Sequence, residues 1–282
     1  TTAVNAVLAA LPLGRGDEIL ITSHTYGACR NAARSWAERV QAIVRVADVP
    51  FPTASAGEIV EAVLAAASPR TRLALLDHVT SSTALVFPVR ELVLELSRRG
   101  VPTLVDGAHA LGMVPVDVTA LGADYYAANL HKWCCAPKAA AVLYVRRDLH
   151  ATIRPLVVSH GYAATRPDRP RWLVEFDWTG TVDPSAVLSA PFALRSLSGL
   201  FPGGLPELQA RNTALARTAR RRIAEALELA LPCPDAMLGS MATLPLPRTT
   251  DAARPGSPFA EPLYSELLER HGIQVHVTPF GA

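Results

Sequence analysis

The chain has 282 residues and a formal net charge of +2, with 50% hydrophobic and 18% charged residues. That composition excludes a disordered chain, and the balanced charge gives no electrostatic reason to expect nucleic acid or an anionic membrane surface as partner. No apolar run reaches the roughly 20 residues of a membrane span.

Thr1 opens directly into helical sequence, without a secretory leader. The missing initiator Met and an end at Phe280-Gly281-Ala282 read as a fragment cut at both ends. Further along, Glu18 to Thr22 reads as a strand, Ala28 to Gln41 as a helix and Ala42 to Val49 as a strand. Ser55-Ala56-Gly57-Glu58 is a capping box before a helix running to Ala67. Leu73 to Val79 is strand-like, Val89 to Arg99 helical and Pro102 to Asp106 strand-like. Strands apolar on both faces and joined by helices indicate an α/β fold with a mostly parallel sheet between helices.

Arg154 to Pro184, rich in Pro, Trp, Arg and Gly, is expected to be irregular, and Leu205 to Leu229 one long helix. Met241 to Leu246 and Ile273 to Val277 are expected strands. They flank a polar loop from Pro247 to Pro258 and a helix from Ala260 to His271, stopped by Gly272. The organisation expected is a large domain over residues 1–200, then a connecting helix and a partial α+β small domain over 201–282.

All but two of the 27 cationic residues are arginine, so lysine chemistry has only Lys132 and Lys138 to draw on. The four cysteines contain no C-x-x-C pair and make no disulfide framework, which favours a reducing, cytoplasmic setting. The vicinal Cys134-Cys135 reads as buried filler. Phosphate-loop, dinucleotide, zinc-protease and serine-elbow motifs are all missing.

In parallel sheets, ligands bind outside the carboxyl ends of the strands. Polar residues gather there: Thr22-Ser23-His24-Thr25-Tyr26, Asp77-His78-Val79-Thr80-Ser81, Asp106-Gly107-Ala108-His109, and Asn129-Leu130-His131-Lys132. Singly, each has an ordinary structural explanation as turn former, cap or packed side chain. Together they suggest one convergent site. An Asp at a strand end followed by a Lys suits pyridoxal phosphate (PLP): the lysine forms an imine with an aldehyde, and the carboxylate keeps the ring nitrogen protonated.

Val105-Asp106-Gly107-Ala108-His109-Ala110, followed by Asp124 to Trp133, resembles the class V aminotransferase family of fold type I PLP enzymes. Asp77 to Ala84, His131 to Pro137 and Trp178 to Ser185 are similar to its isopenicillin N epimerase-like branch. The resemblance implies that Lys132 carries the imine and moves the Cα proton, and that Asp106 pairs with the ring nitrogen. It places Tyr26, or its rival His24, over the ring, and Ser81 and His109 near the ring hydroxyl. Thr1, Thr2 and Ala3, at a helix N-terminus, would bind the phosphate with Asn129 and His131. Thr181 would reach the phosphate of a neighbouring subunit, implying a homodimer with shared sites. Ser82 stands where relatives have Pro, and Val182 where they have Arg. The arginine that clamps the substrate carboxylate would lie beyond Ala282.

The activity expected is epimerase-like chemistry or transamination at the Cα of an amino acid. A C–S lyase, such as one acting on hercynylcysteine sulfoxide, and a cysteine desulfurase are rivals. The contrasting expectation is a catalytically incomplete PLP-fold scaffold.

Overall fold

The computed structural model describes residues 1–246, 262–277 and 280. Six strands form one sheet: β1 (Glu18–Thr22), β2 (Ile43–Ala47), β3 (Thr71–Asp77), β4 (Thr103–Asp106), β5 (Tyr125–Asn129) and β6 (Ala141–Val145). Their order is β2-β1-β3-β4-β5-β6. All neighbours are parallel except the edge pair β5 and β6. β1 and β4 are buried along their whole length, which explains their unbroken apolar sequence.

One face is covered by α3 (Ala56–Ala66) and α4 (Val89–Arg98), which bury Ile59, Val63, Leu92 and Leu96 against Leu20, Leu76 and Val105. The other lies under α1 (Thr2–Ala10) and α2 (Gly27–Val40), where Val7, Leu8 and Ala33 meet Ile21, Leu75 and Leu104. The capping box forms in modified form. Ser55 accepts from the Glu58 N–H at 3.3 Å, while the Glu58 carboxylate takes the Ala54 N–H at 2.9 Å and the Thr53 hydroxyl at 2.8 Å.

The mostly parallel sheet between helices is thus the expected α/β fold; the differences lie in the second half. Two further helices follow α5 (Val118–Leu121): α6 (Arg171–Asp177) and α7 (Ser185–Ser198). The stretch expected to be irregular therefore contains a helix. α6 lacks an apolar period because charge anchors it: buried Glu175 takes Arg154 at 2.8 Å and Arg171 at 2.6 Å. α7 carries Pro191 in its interior, a residue that argues against helix from sequence. The long helix appears as α8 (Gly204–Ala226). After it, Cys233, Met237 and Leu238 return to the core under α3 and α4.

The two strands expected near the end are not formed. Residues 241–246 and 272–277 carry no regular structure, and Leu246, Ile273 and Val275 are exposed. A short apolar run becomes a strand only when a neighbouring strand takes its N–H and C=O groups; the Ile273 N–H instead bonds back to the Leu267 carbonyl of the preceding helix at 3.0 Å. The helix between them is α9 (Pro262–His271); its expected start at Ala260 and the loop from Pro247 to Pro258 fall outside the described residues. No helix among the described residues is long and apolar enough to cross a membrane.

Candidate active site

β3 and β4 end in adjacent acids, Asp77 opposite Asp106 in the parallel register. Asp106 is buried; its Oδ1 takes the Ala108 N–H at 3.0 Å and its Oδ2 the thiol of Cys29, from α2, at 3.1 Å. Burial first, then the neighbouring Asp106, pushes the Cys29 thiol well above its ordinary range, so the sulfur keeps its proton and donates it. Gly107 follows because nothing larger fits. A Cβ there would stand 2.2 Å from the Tyr126 hydroxyl, which itself meets His78 Nδ1 at 2.9 Å.

Lys132 lies on the turn after β5. The Leu130 N–H bonds the Ala140 carbonyl at 2.9 Å, and Ala136 N–H bonds the Leu130 carbonyl at 3.0 Å, closing the loop on itself. α7 backs it, packing Ala190 against Leu130, Cys134, Ala136 and Ala140. Cys134 is buried, as expected, but Cys135 is exposed.

The Lys132 amine sits 3.1 Å from His109 Nε2, and the Trp133 indole N–H donates to His109 Nδ1 at 3.3 Å. An indole nitrogen only donates, so Nδ1 is bare and the ring proton sits on Nε2. The His109 Nε2–H therefore faces the Lys132 amine. Burial lowers the Lys132 pKa against the pull of Asp106, and burial with the adjacent Lys132 takes His109 down to about 4. Tyr26, the N-terminal cap residue of α2, is 45% exposed and places its ring 5.7 Å from the Lys132 amine.

Tyr26, Asp106, His109 and Lys132 are thus brought together. His24 is turned elsewhere. Its Nε2 donates to the Val49 carbonyl at 3.1 Å, its Nδ1 meets the Thr83 hydroxyl at 2.6 Å, and its ring packs near Phe51, Phe87 and Phe280. It anchors the turn that carries Ser81, since Thr83 also meets the Thr80 hydroxyl at 2.7 Å. Thr1 caps α1 without a side-chain bond, leaving the first-turn N–H groups of Thr2 and Ala3 without a side-chain acceptor. The chain's first residue lies within electrostatic reach of Cys29, which brings that helix start toward Asp106. Asn129 ends β5, and His131 points Nδ1 at the Ala140 carbonyl at 3.1 Å. Thr181 is exposed, away from these contacts, and so is Lys138. Sequence reasoning did not single out Cys29, Trp133 or the Asp77–Asp106 pairing as functional. Cys29 carries no motif, Trp133 sits within one without a role of its own, and the pairing exists only once the strands are in register.

Known proteins resemble the chain in sequence and in fold. The chain is 36% identical over 242 residues to "Putative L-cysteine desulfhydrase 1" of Oryza sativa subsp. japonica, covering 83% of this chain and 49% of that protein. It is 37% identical over 270 residues to the isopenicillin N epimerase of Amycolatopsis lactamdurans, covering 90% and 66%. The chain therefore spans about half to two thirds of the length of these curated relatives. Its fold matches the apo cysteine desulfurase from Thermococcus onnurineus NA1 with a TM-score of 0.76 at 18% identity, over 96% of this chain and 65% of that one. The family model described as Aminotransferase class-V matches residues 1–253, and the chain belongs to that family.

Proposed function

We propose that this chain is the cofactor-holding part of a PLP enzyme acting at the Cα of an amino acid, in the manner of the isopenicillin N epimerases. The observation that carries the proposal is the Lys132 amine, held 3.1 Å from His109 Nε2 and within electrostatic reach of Asp106. The residues present fit the cofactor. Lys132 offers an amine whose pKa burial lowers, Tyr26 an aromatic face beside it, and the Asp106 carboxylate still has lone pairs beyond those used by Ala108 and Cys29. The uncapped start of α1 offers N–H groups to a phosphate.

When bound, PLP supplies an electron-withdrawing ring that weakens a substrate Cα–H bond. Asp106 would hold the positive charge on the ring nitrogen, His109 would orient the amine, and Lys132 would move the Cα proton. Ser81 and His109 would serve the ring hydroxyl, and Asn129 and His131 the phosphate. Thr181 serves the neighbouring subunit of a homodimer. The exposed Val182, Leu188 and Phe192 around it, 67–73% accessible, give that pairing an apolar surface to cover. Four free thiols fit a cytoplasmic, reducing setting.

A second reading is elimination of a β-sulfur group, favoured by the desulfhydrase relative at nearly the same identity as the epimerase. Absorbance tests the core of the proposal. A visible band appears on adding PLP, is absent in Lys132→Ala and persists in Lys138→Ala; its loss in the Lys138 variant alone would overturn the assignment. For the full-length protein in deuterated water, Cα deuteration with racemisation indicates epimerisation, and release of sulfide indicates elimination. Sedimentation of the PLP-bound protein as a monomer only would remove the role given to Thr181.

A further inference from the structure

Leu73, Leu75 and Leu104 face α1 and α2, so the two-residue alternation of β3 and β4 turns Asp77 and Asp106 to that same face. Neighbouring strands lie about 4.8 Å apart, and the two acids are register partners. Asp77 is 3% exposed, and its Oδ2 is buried with no hydrogen-bond donor. Among the described residues, no salt bridge reaches either acid. An ionised Asp77 would be a desolvated anion without a cationic partner, beside a second one, at a cost of several kcal/mol. Close carboxylate pairs avoid this by keeping one proton between them.

The surroundings decide which acid keeps the charge. Asp106 has two donors, the Ala108 N–H and the Cys29 thiol. The titratable groups acting on Asp77 are Asp106 on β4, Cys29 on α2 and Lys132 on its loop. Burial, then Asp106, holds the Asp77 acid well above its usual range, offset only partly by the Tyr26 N–H and the Thr25 hydroxyl.

We propose that Asp77 is a positioning residue: a neutral buried acid that confines the single negative charge of the pair to Asp106. The proposal rests on the reading of Asp106 as partner of the ring nitrogen, and it gives that reading a reason for the charge being there.

The test uses the chain labelled with carbon-13 at the aspartate carboxyl, at neutral pH and without PLP. One buried aspartate resonates at the position of a protonated acid, its signal is lost in Asp77→Asn, and the Asp106 signal stays at the ionised position. An ionised Asp77 signal overturns the proposal. Should Asp77→Asn fail to fold, through-bond assignment of the Asp77 carboxyl in the parent chain makes the same measurement. Asp77→Asn then binds PLP within about twofold of the parent; a loss of about tenfold or more, the effect of removing a charge that shifts a neighbour by one pKa unit, also overturns it. Absence of any Lys132-dependent band would sink the cofactor reading and leave the carboxyl signals as they are, so the two failures are distinguishable.

Discussion

Gly107→Ala places one methyl group where the chain has no room. The new Cβ would stand 2.2, 2.3 and 2.4 Å from the hydroxyl, Cζ and Cε1 of Tyr126. Tyr126 is 1% exposed and cannot swing into solvent. Overpacking a rigid core costs about 1–3 kcal/mol. Moving the ring also breaks the 2.9 Å bond to buried His78, worth about 1–3 kcal/mol when a partner is left unsatisfied. A total of about 2–6 kcal/mol follows, read as a lower denaturant midpoint with an unchanged slope. Tyr126→Phe does not rescue it, because only the hydroxyl is removed and the two ring carbons remain in the way. Tyr126→Ala does relieve the clash, so Gly107→Ala costs much less in that background, a non-additive coupling. Because Gly107 links Asp106 to the N–H of Ala108, the single variant also weakens PLP binding. Gly107→Ala within about 0.5 kcal/mol of the parent, or strict additivity with Tyr126→Ala, would refute the reasoning.

Other consequences follow from the same contacts. Cys29→Ala strips one donor from the Asp106 carboxylate and costs about 1–2 kcal/mol in chemical denaturation; an unchanged midpoint would count against that bond. A thiol-alkylating reagent at neutral pH modifies exposed Cys135 and spares buried Cys29, Cys134 and Cys233, as peptide mass mapping would show; early labelling of Cys29 contradicts the structure. Burial takes both His78 and His109 down to about 4 from 6.5. Such depressed histidines stabilise the fold fully above pH 6.5, and that contribution is lost as pH falls toward 4. The melting temperature therefore drops across that window, and His78→Gln flattens part of the drop. Glu18 titrates lower, held to about 2 from 4.5 chiefly by Arg45, so its share disappears only between pH 4.5 and 2. A Glu18→Gln chain showing the same acid limb as the parent would exclude it.

What the sequence reveals about this molecule depends on how local the cause is. β1 and β4 are evident because burial on both faces leaves an unbroken apolar run. Asp106 and Lys132 stand out because each is flanked by its own motif. α7 escapes because Pro191 argues against a helix, while the loop it supports is contributed by residues 130–140. Met241 to Leu246 misleads in the opposite direction: its composition suits a strand, but among the described residues no strand pairs with it. His24, plausible over a ring by its position in the chain, is claimed by Thr83, 59 residues away. The tie between Cys29 and Asp106 spans 77 residues, a separation that no local pattern encodes.

The indole of Trp133 has an effect well outside any catalytic cycle. It fixes the tautomer of His109 beside an amine whose pKa burial lowers, whereas an ordinary solvated lysine near neutral pH is almost wholly cationic. Carbonyl compounds and acylating reagents therefore meet one nucleophile well ahead of Lys138, whose side chain is exposed to water. Selective tagging at a single residue becomes feasible.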